Sequence, residues 1–329
     1  MKNRTLKQIA LITSLLSLVP VWFSPATAAE IEVHFRYRLS DFQGPIPYQW
    51  AELAVDPGAN EVYALNRQED EIRIFNNKGM EIYRCPDHRK LGGLRDIAVA
   101  ENGNIFLTRG RSTTTILRLD YRCGPLSEIE LREIPEDFSP FRIDHLYRQQ
   151  DRFYLADSRA LRILVADRDG LIRESYDLKK IMLEQSDGKM EAEDLEEIEI
   201  AGFSVDRHGT MYFTIPTLFS AYRLGPDRTL EAFGSSGSGP GKFGVVAGIT
   251  TDRQGRVYVS DRLGSKVMVF NRNFNFLTEF GYRGSNPDNL IVPNEIATGP
   301  DGKLYVAQGA NRGVSVFKVS PTYEELPRN

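Results

Sequence analysis

Beyond residue 30 the chain alternates apolar and polar positions in short runs, and the runs come in groups separated by turn residues. A strand pattern, a turn with Asp or Gly, and a second strand holding an aromatic recur six times. The copies are "ELAVDPGANEVYAL" from Glu52, "DIAVAENGNIFLT" from Asp96, "DHLYRQQDRFYLAD" from Asp144, "GFSVDRHGTMYFT" from Gly202, "GITTDRQGRVYVSD" from Gly248 and "EIATGPDGKLYVAQ" from Glu295. Their shared aromatics, Tyr63, Phe106, Tyr154, Tyr212, Tyr258 and Tyr305, stand 43, 48, 58, 46 and 47 residues apart, so six units account for the chain after its first thirty residues.

Each pair is followed by a third alternating run, such as "EIRIF" or "KVMVF", and usually by a fourth, such as "MEIYR" or "FLTEF". Four short strands per unit with hardly any helical periodicity predict an all-β, six-bladed β-propeller. The sixth unit ends after "GVSVFKV" without a fourth strand, while "IEVHFRYRL" at residues 31–39 precedes the first unit. The N-terminal strand is therefore expected to close the last blade, covering an edge that would otherwise pair with other chains.

The segment "GSGPGKF" at residues 237–243, followed by "GITTDRQGRVYVSD" and "VMVF", resembles the NHL repeat, and the likeness weakens but persists through all six units. Blade three departs from it, with Gln150 and Asp151 where the turn glycine belongs, and blade four has Ile215 and Pro216 after its second strand. The resemblance implies the propeller fold and a rigid disc of either binding or enzymatic use. The repeated Asp and Gly, as in Asp252 and Gly255, suit a tight turn in which Asp accepts local backbone hydrogen bonds and Gly takes positive φ.

The first residues read differently. Lys2, Arg4 and Lys7 precede an apolar run of about fifteen residues, short for a membrane span, and Ala26 and Ala28 then supply small residues for cleavage. This is a secretory signal peptide over residues 1–28, with the mature propeller over residues 29–329. Without it 38 basic residues face 45 acidic ones, a formal charge of −7 that offers nothing to a phosphate backbone. The mature protein is expected to be periplasmic or extracellular, without a stable membrane anchor, without a nucleic-acid partner, and monomeric. Cys85 and Cys123 are a candidate disulfide. One lies at the end of an outer strand and the other in a turn, so whether they share a face is open.

In a propeller the innermost strands surround an axial channel. Aligning the copies places Glu52, Asp96, Asp144, Gly202, Gly248 and Glu295 at one register around it, four of them acidic. Converging carboxylates repel one another unless cations neutralise them. Two partners are available: arginines in the loops after the second strands, Arg67, Arg109, Arg111 (which lies outside the residues described below), Arg159, Arg262 and Arg312, or a calcium ion held by Glu52, Asp96, Asp144, Asn294 and Glu295. The second alternative is similar, in architecture and residue type only, to the calcium-dependent gluconolactonase and paraoxonase-like propellers, and implies a metal-assisted hydrolase or lactonase. The four histidines show no zinc-binding spacing, and no nucleophile motif was found. Trp50 precedes the first channel strand and offers a stacking surface, and the acidic stretch from Glu184 to Ile200 is expected above the channel mouth. The first reading is thus a binding module that presents one loop-rich face to a protein, peptide or glycan.

Overall fold

The computed structural model describes residues 31–85, 93–110, 114–186 and 188–321; the segment read as a signal peptide lies outside them. Six four-stranded antiparallel sheets form the blades. Their innermost strands are Glu52–Asp56, Leu94–Val99, His145–Gln149, Gly202–Val205, Val246–Thr251 and Pro293–Thr298. Each neighbours the next, and the sixth returns to the first, so the blades form a closed ring.

The core is correspondingly divided. Among the described residues, six apolar clusters occupy the six spaces between adjacent blades. Every shared aromatic sits in the cluster its blade makes with the following one: Tyr63 against Leu94 and Ile97, Phe106 against Phe153, Tyr305 against Leu53 and Val62. The aromatic on the second strand is the right size because each blade must span the gap to a twisted neighbour, and a planar ring buries much area there. In the turns below, Asp206 Oδ1 accepts hydrogen bonds from the His208 and Thr210 amides, and Asp252 Oδ1 from those of Gln254 and Arg256.

The N-terminal strand Glu32–Arg38 pairs antiparallel with Val314–Ser320 and completes blade six. Phe35 meets Phe317 edge to face at 5.7 Å, and Leu39 is fully buried. The link to blade one repeats one found elsewhere. The Ser40 amide donates to the Gly79 carbonyl as the Arg132 amide does to Gly170, both joining the end of an outer strand to the following blade's outer turn.

Cys85 and Cys123 are bonded, with Cα atoms 5.6 Å apart. Their positions, which in the sequence suggest opposite faces, are adjacent for the same reason: an outer strand of one blade ends against the outer turn of the next. Helix Leu178–Gln185, which leads into the acidic stretch, buries Leu178, Ile181 and Met182 in the cluster between blades three and four, and Gln185 bonds to the backbone of Arg228 and Leu230. The far end of the stretch returns to the loop after blade three's second strand, where the Ile200 amide donates to Ser158 O at 3.2 Å and Glu199 lies 3.8 Å from Arg159.

A chain beginning at Asp41 should expose Phe317 and Val319 and lose the burial of Leu39 and Phe35. At about 1.5–3 kcal/mol per large apolar side chain, the expected loss is at least about 3 kcal/mol, read as a lower melting temperature with aggregation. Equal stability in a monomer would refute ring closure as a stabilising contact. Replacing both cysteines with serine should cost about 3–4 kcal/mol, given the 38-residue separation, measured by denaturant unfolding.

Candidate functional site

Strand pairing defines the axial ring directly. Two residues before the partner of each shared aromatic stand Glu52, Asp96, His145, Gly202, Gly248 and Glu295. Blade three therefore contributes His145, not Asp144. Its turn is a two-residue hairpin in which Gln149 pairs with Arg152, so the ladder is longer and Tyr154 faces Tyr147. A glycine-containing turn would have left Asp144 at the ring position.

The two glycines have a packing reason. A Cβ at Gly202 would overlap the Ala247 carbonyl, and one at Gly248 would overlap that of Asn294. Hydroxyls fasten these close approaches. Thr214 Oγ1 accepts from the Gly202 amide and donates to Ala247 O, and Ser260 Oγ accepts from the Gly248 amide at 2.8 Å and donates to Asn294 O at 2.6 Å. Blades four, five and six thus touch backbone to backbone at the axis.

The acids occupy the remaining arc. Arg67 Nη1 donates to Glu52 Oε1 at 2.9 Å. Asp96 accepts from two backbone amides, its neighbour Ile97 and, across the blade boundary, Leu146, each at 2.7 Å. Among the described residues, no cationic side chain lies within ion-pair distance of Asp96 or Glu295. Burial, followed by the charge of Glu52, pushes Asp96 well above the usual carboxylate range. Burial, then Glu52 and Asp96, does the same to Glu295. Burial also raises Glu52, against the opposing pull of Arg67, and lowers His145, favouring the neutral imidazole.

Asp144, one residue off the ring, is held by Arg95 Nη1 at 2.7 Å and Arg142 Nη2 at 2.8 Å. These two arginines stand at the entries to the inner strands of blades two and three, outside the repeated second-loop positions, so the sequence pattern does not single them out. Of the arginines chosen there, Arg67 and Arg262 reach the axial rim, and Arg159 lies 3.8 Å from Glu199. Arg109 instead pairs with Glu128 on the outer strand, and Arg312 donates to the Gly284, Asn286 and Asn289 carbonyls. Neither caps the ring, since one is drawn outward along its own sheet and the other satisfies a loop.

As a calcium site this set does not fit. Glu52 and Asp144 already face guanidinium groups, Asn294 Oδ1 accepts from Arg262, and both oxygens of Asp96 accept backbone hydrogen bonds. Among the described residues no three His, Cys, Asp or Glu side chains form a metal-ligand group.

Trp50 adjoins this rim. Its backbone has φ 52°, its amide donates to Gln308 O at 3.0 Å, and its indole nitrogen donates to Val292 O at 3.2 Å. The Arg262 guanidinium stands 5.8 Å from the ring centre. Trp50 remains 40% exposed, and Leu263, next to Arg262, is 75% exposed.

Below the ring, the axis holds a chamber of about 100 Å³ lined by Glu52, Asp96, His145, Ser204, Thr250 and Glu295 at its polar end. It shares Val55, Val99, Tyr147, Arg148 and Thr298 with a bowl of about 1010 Å³ on the opposite face, built from the turns between the first and second strands. Sequence reasoning treated those turns only as structure.

No protein-family model matches the chain, and no curated protein matches it. Solved structures do. A protein of unknown function from Bacteroides thetaiotaomicron aligns with TM-score 0.63 at 14% identity, over 88% of this chain and 76% of its own. Virginiamycin B lyase from Staphylococcus aureus gives 0.51 at 14%, over 90% and 91%. A gluconolactonase from Xanthomonas campestris gives 0.55 at 12%, over 88% and 90%. At these identities the likeness shows the fold, a six-bladed propeller.

The raised acids make a pH prediction. A carboxyl whose folded pKa exceeds its unfolded one destabilises the fold above the folded pKa, and that penalty disappears as pH falls toward the unfolded value of about 4. His145, lowered on folding, acts oppositely below about 6.5. The difference between wild type and an Asp96→Asn/Glu295→Gln variant isolates the acids. The variant should melt higher at pH 7.5, and its advantage should shrink by pH 5. A constant difference across that range would show that the two acids are not the titrating groups.

Proposed function

We propose that the chain is an exported, NHL-type propeller acting as a binding module, with the axial rim around Trp50 as its contact surface for a protein, peptide or glycan. The observation that carries this reading is Trp50 itself. It is pinned in a left-handed backbone conformation by two hydrogen bonds, is open on one side, and is flanked by Arg262 and the exposed Leu263. A non-glycine residue at positive φ costs energy that surrounding structure must offset, and Trp and Arg are the side chains that most often anchor interfaces. The disulfide agrees with an oxidising compartment.

Affinity capture from the native extracellular or periplasmic fraction tests it. A partner retained by wild type should be lost with Trp50→Ala, at about 2 kcal/mol or roughly thirtyfold in affinity, and weakened by Leu263→Asp. A partner held equally by both variants would remove this face from the function.

A second reading, a hydrolase or lactonase, has one observation in its favour: Asp96 and Glu295 are buried together at the axis with their carboxyls raised by burial and mutual repulsion, on a fold that the gluconolactonase and virginiamycin B lyase structures share. Chelator treatment is expected to leave the melting temperature unchanged. A fall that calcium reverses would place the hydrolase reading first.

A further inference from the structure

We propose that the axial chamber is a receptor site for a primary alkylammonium group, entering from the bowl on the turn face. This site is separate from the Trp50 rim and does not depend on it. Three features of the chamber converge on that chemistry.

The first is charge. Glu52, Asp96 and Glu295 line one end of the chamber, yet Arg67 on Glu52 is the sole guanidinium within ion-pair distance of any of them among the described residues. The second is an unmet hydrogen bond. The Ser204 hydroxyl is in a residue only 2% exposed, lines the same chamber and has no partner. Buried polar groups without partners are rare and call for a physical account. A ligand that donates several hydrogen bonds supplies one, whereas an anion would face three acids against the one guanidinium, Arg148, on the same lining.

The third is shape. The chamber is narrow, about 100 Å³ against about 1010 Å³ for the bowl it joins. Its shared wall with the bowl is formed by Val55, Val99 and Tyr147 together with Thr298 and Arg148. The apolar part of that wall, leading to acids, suits an unbranched methylene stem carrying an ammonium head, which places its stem on apolar surface and its charge among oxygens. An ammonium has three donors and no acceptor. Glu295, the Ser204 hydroxyl and the remaining lone pairs of Asp96 are acceptors of the required kind. Calcium would demand six to eight oxygens, and those of Glu52 and Asp96 are already partly engaged. Tyr147 lines both the chamber and the bowl.

Calorimetric titration of the mature full-length chain with n-butylamine at pH 7.5 tests the proposal, with n-butanol as the neutral analogue and calcium chloride as the competing cation. Butylammonium should bind saturably and butanol should not. Glu295→Gln should weaken binding at least tenfold, and Ser204→Ala about threefold to tenfold. Ser204→Ala removes one atom, so it keeps the test valid if Glu295→Gln does not fold. A short peptide with one central lysine distinguishes sources. Binding of peptide and butylamine alike identifies a protein lysine as a competent ligand, and binding of butylamine alone identifies a free amine; both support the site. Absence of saturable binding by either, binding unaffected by both substitutions, or a response to calcium with none to amine would overturn it.

Discussion

Packing between blades is the interaction on which everything else in this protein rests. Each sheet has an apolar face that only its neighbour covers, and the six clusters are filled by one large aromatic per blade from the second strand together with residues from the following first strand. A linear array built this way would leave two faces bare. Packing blade six on blade one covers both, and residues 32–38 supply blade six's outer strand, so nearest-neighbour contacts become a ring whose members stabilise one another. The Ser40 to Gly79 and Arg132 to Gly170 bonds show that the closing strand makes the same local contact as an ordinary outer strand. Cys85 and Cys123 tie that same kind of junction between blades one and two.

The ring imposes a consequence at its centre. Whatever occupies equivalent positions on the inner strands is brought together, regardless of charge. Blades four and five resolve this with glycine, letting backbones approach until Thr214 and Ser260 can bridge them. Blades one, two and six place carboxyls there instead, and blade three a buried histidine whose charged form burial disfavours. The ring is consequently lopsided, tight on one arc and polar on the other.

Much of this was legible in the sequence because repetition carries redundant information. Blade number, strand count, the role of Tyr63 and its equivalents, and closure by the N-terminal strand all follow from patterns repeated six times. The site was less legible because it depends on departures from the repeat. Asp144 and His145 differ by one position, and the length of a single hairpin decides between them. Arg95 and Arg142 precede inner strands, where no repeated pattern drew attention, while Arg109 and Arg312 follow second strands as Arg67 does but turn to Glu128 and to loop carbonyls. The disulfide was ambiguous because linear strand order hides the meeting of one blade's outer strand with the next blade's turn. The bowl could not be read at all, since a turn motif explains its own residues and says nothing of the space six turns enclose.

The axial carboxyls are costly in a way that packing does not require. A neutral residue at positions 52, 96 or 295 would spare the desolvation that raises all three groups, and the glycines of blades four and five show that the fold accepts uncharged residues in this register. Their field is also directed. Arg67, Arg95, Arg142 and Arg262 crowd the Trp50 side of the ring, whereas the other side opens through Val55 and Val99 toward the bowl. Low-dielectric walls focus the potential of buried charge along such an opening. The disc therefore presents two different ends to its surroundings: an arginine-rich rim with an exposed indole, and a bowl whose turns carry both acids and arginines, Arg148 among them, leading to the buried axial acids.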